Sequence, residues 1–252
     1  MLDGEHWRCT FADEFSGPSL DTTKWIVQRT SVSGFHSGKE CVAESPDNVA
    51  VSGGQLKLTV RQEAAPFVCN SPGGRSFVTQ YSSGSIDTWR KFSQAFGRFE
   101  VRARFPAAMV AGLQSAVWLY PQDLAYGQWP KSGEIDIAET YSNYPDRAIP
   151  YLHYEQTPGD TGVTRHTCKI KNLSAFHTYA AVWTRRSITI TYDGKVCLRH
   201  AWNPASLTAP APFDKPFFIA LTQALGTGTN AFDPATTPLP ATTEVDYVHV
   251  WS

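Results

Sequence analysis

Charge of either sign is scarce in this 252-residue chain. Only 18% of its residues are charged, and 22 Lys+Arg against 23 Asp+Glu leave a formal net charge of -1. A nucleic-acid partner normally requires a basic patch, so none is expected. No run approaches about 18 consecutive apolar residues, so no helical membrane span is expected either. Long Glu/Lys/Leu-rich stretches are missing, which excludes a helical bundle. No CxxC pair occurs, which disfavours a cysteine zinc site. The seven histidines never form HxxxH or HExxH, and neither a phosphate loop nor a Gly-x-Ser-x-Gly elbow appears. Gly226, Gly228 and Ala231 make a degenerate dinucleotide-loop pattern. That motif needs a helix directly after it, and Pro234, Pro238 and Pro240 follow instead.

What the chain has is aromatic surface and turns. Eight Trp, 10 Tyr and 14 Phe can bury far more area than a disordered chain offers. Eighteen Gly and 17 Pro punctuate short apolar runs. Residues 98–105 alternate charged and apolar, which is a strand with one face buried and the other facing solvent or a cleft. Ile188, Ile190 and Tyr192 alternate with threonines before Asp193-Gly194, a hairpin turn. Further strands are expected at 56–61, 113–120, 134–139, 177–184, 217–221 and 244–251. No amphipathic helix exceeds three turns. Many short strands between Gly/Pro turns imply an all-β antiparallel sandwich or barrel. Without an internal repeat or linker, residues 1–252 read as a single domain.

Five scattered cysteines fit an oxidising compartment, and hence a secreted, extracellular chain. Cys168 and Cys197 flank a strand-like region and are expected to pair. Cys41 with Cys69 is the second expected pair, which leaves Cys9 over. Five reduced, buried thiols are the alternative. Met1 precedes a domain-like start, and the expectation is that a signal peptide has been trimmed.

The chemistry concentrates in Glu134-Ile135-Asp136-Ile137-Ala138-Glu139, three carboxylates in six residues of an apolar strand. Glu134 and Asp136 share a face, because side chains alternate with period two. Glu139 is five positions from Glu134, so a regular strand sends it to the opposite face. One β-bulge restores the parity. The two Glu carboxyls would then approach the roughly 5–5.5 Å spacing of a retaining glycosidase. Mutual repulsion should raise at least one pKa, as a general acid requires. Bare residues fit a solvated strand face or a calcium site equally well. The nearby aromatics Trp118, Tyr120, Trp129, Tyr141 and Tyr154 favour a sugar cleft, since rings of this kind stack on sugar C–H faces.

This motif resembles the signature of glycoside hydrolase family 16, in its bulged, laminarinase-like form. Phe11-Ala-Asp13-Glu14-Phe15 with Trp25 is similar to that family's opening, and Asn48 through Leu56 to its next strand pair. Gly97 through Arg102, Phe176 through Trp183 with Tyr192-Asp193-Gly194, and Val245 through Trp251 resemble its later strands. The resemblance implies a β-jelly roll of two curved antiparallel sheets with an open concave cleft. It implies retaining endo-hydrolysis of a β-linked polysaccharide, most often β-1,3-glucan. By position, Glu134 would be nucleophile and Glu139 acid/base, with Asp136 between them tuning both. His153 would hold that network, with a sheet histidine of purely structural role as the alternative. Asn48, Gln114, Trp118, Trp129, Tyr141 and His153 are the candidate substrate-binding residues. Glu14, Gly54 (through its carbonyl) and Asp246 match a structural calcium position, and oxygen ligands suit that ion. No cofactor for catalysis is expected, and the chain should act as a monomer.

Three departures qualify the substrate. Gln114-Ser115 stands where the laminarinase-like branch commonly has Trp-Pro. Ser85 stands where Arg is frequent, and Ala241 through Glu244 lacks a usual Gln. A galactose-based polymer is therefore an alternative. A non-catalytic carbohydrate-binding protein is another, although it would have no need of two poised acids. A transglycosylase would share the same residues. The cysteine reading has its own check. Peptide mapping without reductant is expected to recover Cys168 and Cys197 as one linked species, and recovery of both as free thiols would refute the pairing.

Overall fold

The computed structural model describes residues 7–252, so Met1 and the expected trimmed leader lie outside the described residues. Its strands in chain order begin with β1 (Cys9–Asp13), β2 (Ile26–Val27), β3 (Cys41–Val42), β4 (Val49–Ser52) and β5 (Gln55–Cys69). They continue with β6 (Phe77–Ser83), β7 (Ser85–Asp87), β8 (Gly97–Arg104), β9 (Leu113–Pro121), β10 (Glu134–Tyr141) and β11 (Ile149–His153). The last are β12 (His177–Trp183), β13 (Ile188–Tyr192), β14 (Lys195–His200), β15 (Phe217–Leu225) and β16 (Ala241–Trp251). Among the described residues the one α-helix is the single turn α1 (Thr30–Ser33).

Two sheets form. One runs β14-β13-β12-β8-β16-β5-β6-β3, with β1 on β16 and β4 on β5. The other runs β11-β10-β9-β15-β7-β2. Almost every pairing is antiparallel; β3 with β6 is parallel. Period-two patterning explains the layering. On β8, Phe99, Val101 and Ala103 enter the core. The alternating Arg98, Arg102 and Arg104 stay outside and pair with Glu100, Asp246 and Glu244. The 98–105 alternation thus faces solvent rather than the cleft. One continuous core draws on both sheets, including Phe11, Leu56, Val117, Ile135, Trp183, Ile219 and Val250.

The 56–61 strand runs on to Cys69, because a register shift between Gln62 and Phe67 accommodates Pro66 at the sheet margin. Asp193 and Gly194 both adopt positive φ, which joins β13 to β14 by the expected tight hairpin. Cys41–Cys69 and Cys168–Cys197 are bonded, and Cys9 is free and exposed. The opening motif has a packing role: buried Asp13 accepts from Trp25 Nε1 at 2.8 Å and from the Phe15 N–H at 2.9 Å. Trp183 sits at the centre of the core, fully buried against Phe96, Phe99 and Phe217, its Nε1 donating to the Phe213 carbonyl. Trp183→Ala is expected to destabilise the chain by about 3–5 kcal/mol, read from urea unfolding.

Candidate active site

The bulge falls where the carboxylate parity demands it. Against β9, Asp136 pairs with Trp118 and Ala138 with Val117, so Ile137 is the extra residue. Glu139 then pairs with Ala116 and Tyr141 with Gln114. Ala116 and Trp118 share a face, so Asp136 and Glu139 share it too, three positions apart. The bulge frees the Ile137 carbonyl from the ladder, and the Tyr192 hydroxyl donates to it from the opposite sheet at 2.9 Å. An unpaired buried carbonyl would otherwise be costly.

Glu134, Asp136 and Glu139 line one hollow of about 100 Å³ on the second sheet. Phe35, Ser37, Gln114, Ala116, Trp118 and Thr222 complete its walls. Trp129 Nε1 donates to Glu134 Oε2 at 2.6 Å. His153 Nε2 lies 3.0 Å from Asp136 Oδ2, and its ring stacks on Tyr151. Glu139 Oε1 accepts from Gln114 Nε2 at 3.0 Å and from the Tyr141 hydroxyl at 2.8 Å.

All three acids hold protons more tightly than in water. Burial, then the charge of Asp136, pushes Glu134 up to about 8, against the pull of His153 and the Trp129 hydrogen bond. Burial and the Glu139 charge hold Asp136 well above the usual carboxylate range. Burial raises Glu139 as well, opposed by Tyr141 and Gln114. Burial lowers His153, against Glu134 and Glu139. A cluster of this kind keeps at least one proton near neutral pH, and its neighbours decide which oxygen carries it.

The candidates from sequence divide three ways. Trp118, Gln114, Tyr141, Trp129 and His153 gather around the carboxylates. Asn48 does not line the hollow: it is 1% exposed, and its Nδ2 is spent on the Thr59 carbonyl and the Ser82 hydroxyl. Tyr154 points into the core, bonded to Asp160 and His200, because it is one step out of phase with His153. Ser85 is buried and bonded to the Leu221 carbonyl and Thr222, a packing role that an Arg could not fill. Phe35, Ser37, Thr222 and Tyr151 escaped the sequence reading. Tyr151 was findable, two positions from His153 on one strand face. The other three arrive from distant segments with no local signal.

The metal candidates border one stretch of β16, since Asp13 pairs with Val248 and Leu56 with Val245. Their carboxylates are already engaged by the chain's own side chains. Asp246 Oδ2 accepts from Arg102, and Glu14 Oε1 meets His249 Nε2. Among the described residues no group of three His, Cys, Asp or Glu could hold a metal. Oxygen donors of this kind are what calcium takes, both carboxylates here are held by the chain's own side chains, and no step below uses a metal.

The family model described as Glycosyl hydrolases family 16 matches residues 36–248. The chain belongs to this family. It is 31% identical over 264 aligned residues to glucan endo-1,3-beta-glucosidase A1 of Niallia circulans, covering 95% of this chain and 37% of that relative's length. The laminarinase of Rhodothermus marinus superposes with a TM-score of 0.81 at 30% identity, covering 98% of this chain and 97% of that one. A keratan-sulfate endo-1,4-beta-galactosidase of Sphingobacterium multivorum is 29% identical, covering 96% of this chain and 54% of its own length. The chain is thus a glycoside hydrolase of jelly-roll fold.

The raised pKa of Glu134 fixes the sign of a stability effect. A carboxyl that titrates near 8 folded and near 4.5 free stabilises the fold below about pH 4.5 relative to high pH. That advantage is lost as pH rises through the folded value. Asp146, held near 2 by Arg147 and Lys169, does not titrate in this window. The melting temperature is expected to fall between about pH 5 and 8, and to fall less in Glu134→Gln. Parallel slopes for the two chains would contradict the assignment.

Proposed function

We propose that this chain is a retaining endo-glycosidase acting on a β-linked polysaccharide, with β-1,3-glucan as its substrate. The observation that carries this reading is the bulged trio, which brings Glu134, Asp136 and Glu139 to the lining of one hollow on the sheet face. With the trio's shared proton on a neighbouring acid, the Glu134 carboxylate attacks the anomeric carbon and the glycosidic C–O bond breaks. Glu139 gives its proton to the departing oxygen. Water then attacks the glycosyl-enzyme, Glu139 takes the water's proton, and Glu134 leaves as carboxylate. Trp129 favours the charged form of Glu134, since its N–H donates to the carboxylate oxygen. Asp136, held by His153, tunes both acids through its charge and proton. Trp118 and the half-exposed Trp129 offer ring faces to successive sugars.

A galactose-based polymer is the second reading. The amide of Gln114 on the cleft floor favours it, because a polar group there replaces an aromatic platform with a hydrogen-bonding one. Secretion as a monomer is part of the same proposal; two disulfides support the oxidising compartment.

Reducing-end release from a panel of β-1,3-glucan, mixed-linkage β-glucan, xyloglucan, agar, carrageenan and arabinogalactan tests the proposal. Glu134→Gln is the control and is expected to lose at least about 10³-fold in turnover while keeping fold and binding. Release from β-1,3-glucan, absent in the variant, supports the first reading. Release only from the galactose polymers moves the substrate and keeps the mechanism. A variant with wild-type rates overturns both.

A further inference from the structure

Both hydrogen bonds to the Glu139 carboxyl land on one oxygen. Gln114 Nε2 and the Tyr141 hydroxyl each donate to Oε1. Among the described residues no donor is bonded to Oε2. A carboxyl oxygen that already accepts two hydrogen bonds is a poor site for its own proton. The proton therefore belongs on Oε2, the oxygen left free for a substrate.

Gln114 is itself held in one orientation. The Ser37 hydroxyl donates to Gln114 Oε1, which turns Nε2 toward Glu139. The opposite amide orientation would set a carbonyl oxygen against a carboxyl oxygen, two acceptors face to face. Ser37 in turn is located by Glu40. That carboxylate is fully buried and accepts from the Ser37 N–H at 2.8 Å and the Gly38 N–H at 3.0 Å. Gly38 admits no side chain, since a Cβ there would lie 2.8 Å from the Leu225 carbonyl oxygen. Cys41, which follows Glu40, is bonded to Cys69. A chain of contacts thus runs from a disulfide-anchored loop, through Ser37 and Gln114, to one oxygen of one acid.

We propose that Gln114 is a positioning residue for proton donation: with Tyr141 it occupies Glu139 Oε1 and so fixes the acid's proton on Oε2, toward the glycosidic oxygen. The inference rests on the reading of Glu139 as the general acid. It concerns a residue at which this chain differs from the laminarinase-like pattern, so it assigns the substitution a role in the chemistry and not only in sugar choice.

The test uses Gln114→Met, which keeps volume and removes the donor. Two substrates are compared by kcat/KM: the polysaccharide found active in the panel, and a 2,4-dinitrophenyl glycoside of its oligosaccharide. The dinitrophenolate leaves without protonation, so its departure does not need the acid. The loss on the polysaccharide is expected to exceed the loss on the aryl glycoside by about tenfold or more, within the usual worth of a general acid. Equal losses on both would mean a general structural or subsite role, and would overturn the proposal. Carboxyl-carbon NMR titration of Glu139 supplies a readout that needs no substrate. The groups facing Glu139 are Glu134, Asp136 and Tyr141 on its own strand, His153 on β11, and Tyr192 from the opposite sheet. These remain in the variant, so removing one donor to the carboxylate should move the Glu139 titration upward. An unmoved titration overturns the proposal. A wild-type chain that cuts nothing defeats the functional reading instead, and leaves the titration to judge Gln114.

Discussion

The strict two-residue alternation of a β-strand governs this site. Acids at 134, 136 and 139 cannot share a face in a regular strand, and the fold meets the constraint with one extra residue at Ile137. The insertion has consequences through both sheets. It frees a carbonyl that Tyr192 must satisfy from the opposite layer, and it shifts register against β9 and β11 together. Ile137 and Ala138 are both fully buried, so the kink is packed on its inner side. The concave face depends on that packing, because a slip of one residue would turn Glu139 into the core.

Three carboxylates crowded into one hollow, Asp136 buried and the two Glu half-buried, oppose folding near neutral pH, and the surrounding donors only partly offset that. Trp129 bonds Glu134, His153 meets Asp136, and Gln114 with Tyr141 bonds Glu139. Among the described residues no lysine or arginine neutralises the trio; the causes acting on their pKa values are burial, one another, His153 and neutral donors. Neutral donors lower a carboxyl pKa less than a cation would. The site therefore keeps a proton available, which an arginine would have removed. On the opposite sheet the cations are plentiful, with Arg98, Arg102 and Arg104 each paired to an acid. Those partly exposed pairs contribute little to stability, but Arg102 and His249 take up the two carboxylates, Asp246 and Glu14, that sequence alone offered to calcium.

The wall of the cleft follows a different logic from its floor. Residues 35–38 carry no regular structure and would be mobile by themselves. Glu40, Thr30 and the Cys41–Cys69 bond tie them down: Thr30 Oγ1 donates to the Phe35 carbonyl and accepts from the Val42 N–H. The loop can then set the Phe35 ring beside Trp118, 5.8 Å between centroids, and Ser37 against Gln114. Shape at this edge of the cleft is thus decided by a buried acid and a disulfide lying outside the catalytic strand.

Much of this was legible in the chain itself. Period-two patterning gave the strand at 98–105 and its buried face, because burial on one side of a sheet writes itself into alternate residues. The Glu134–Glu139 spacing is an odd step, so one shared face for the two acids requires a bulge. Other features depend on contacts between residues far apart in sequence. Nothing local distinguishes Asn48, which is structural, from Gln114, which touches Glu139; 25 positions separate Gln114 from that acid. Tyr154 looked like a cleft aromatic until the phase of β11 put its neighbour His153 there instead. The sequence determined that three carboxylates crowd into six residues of one strand. Tertiary structure alone decided which oxygen of Glu139 is occupied, because that depends on a loop about a hundred residues away folding back onto the strand.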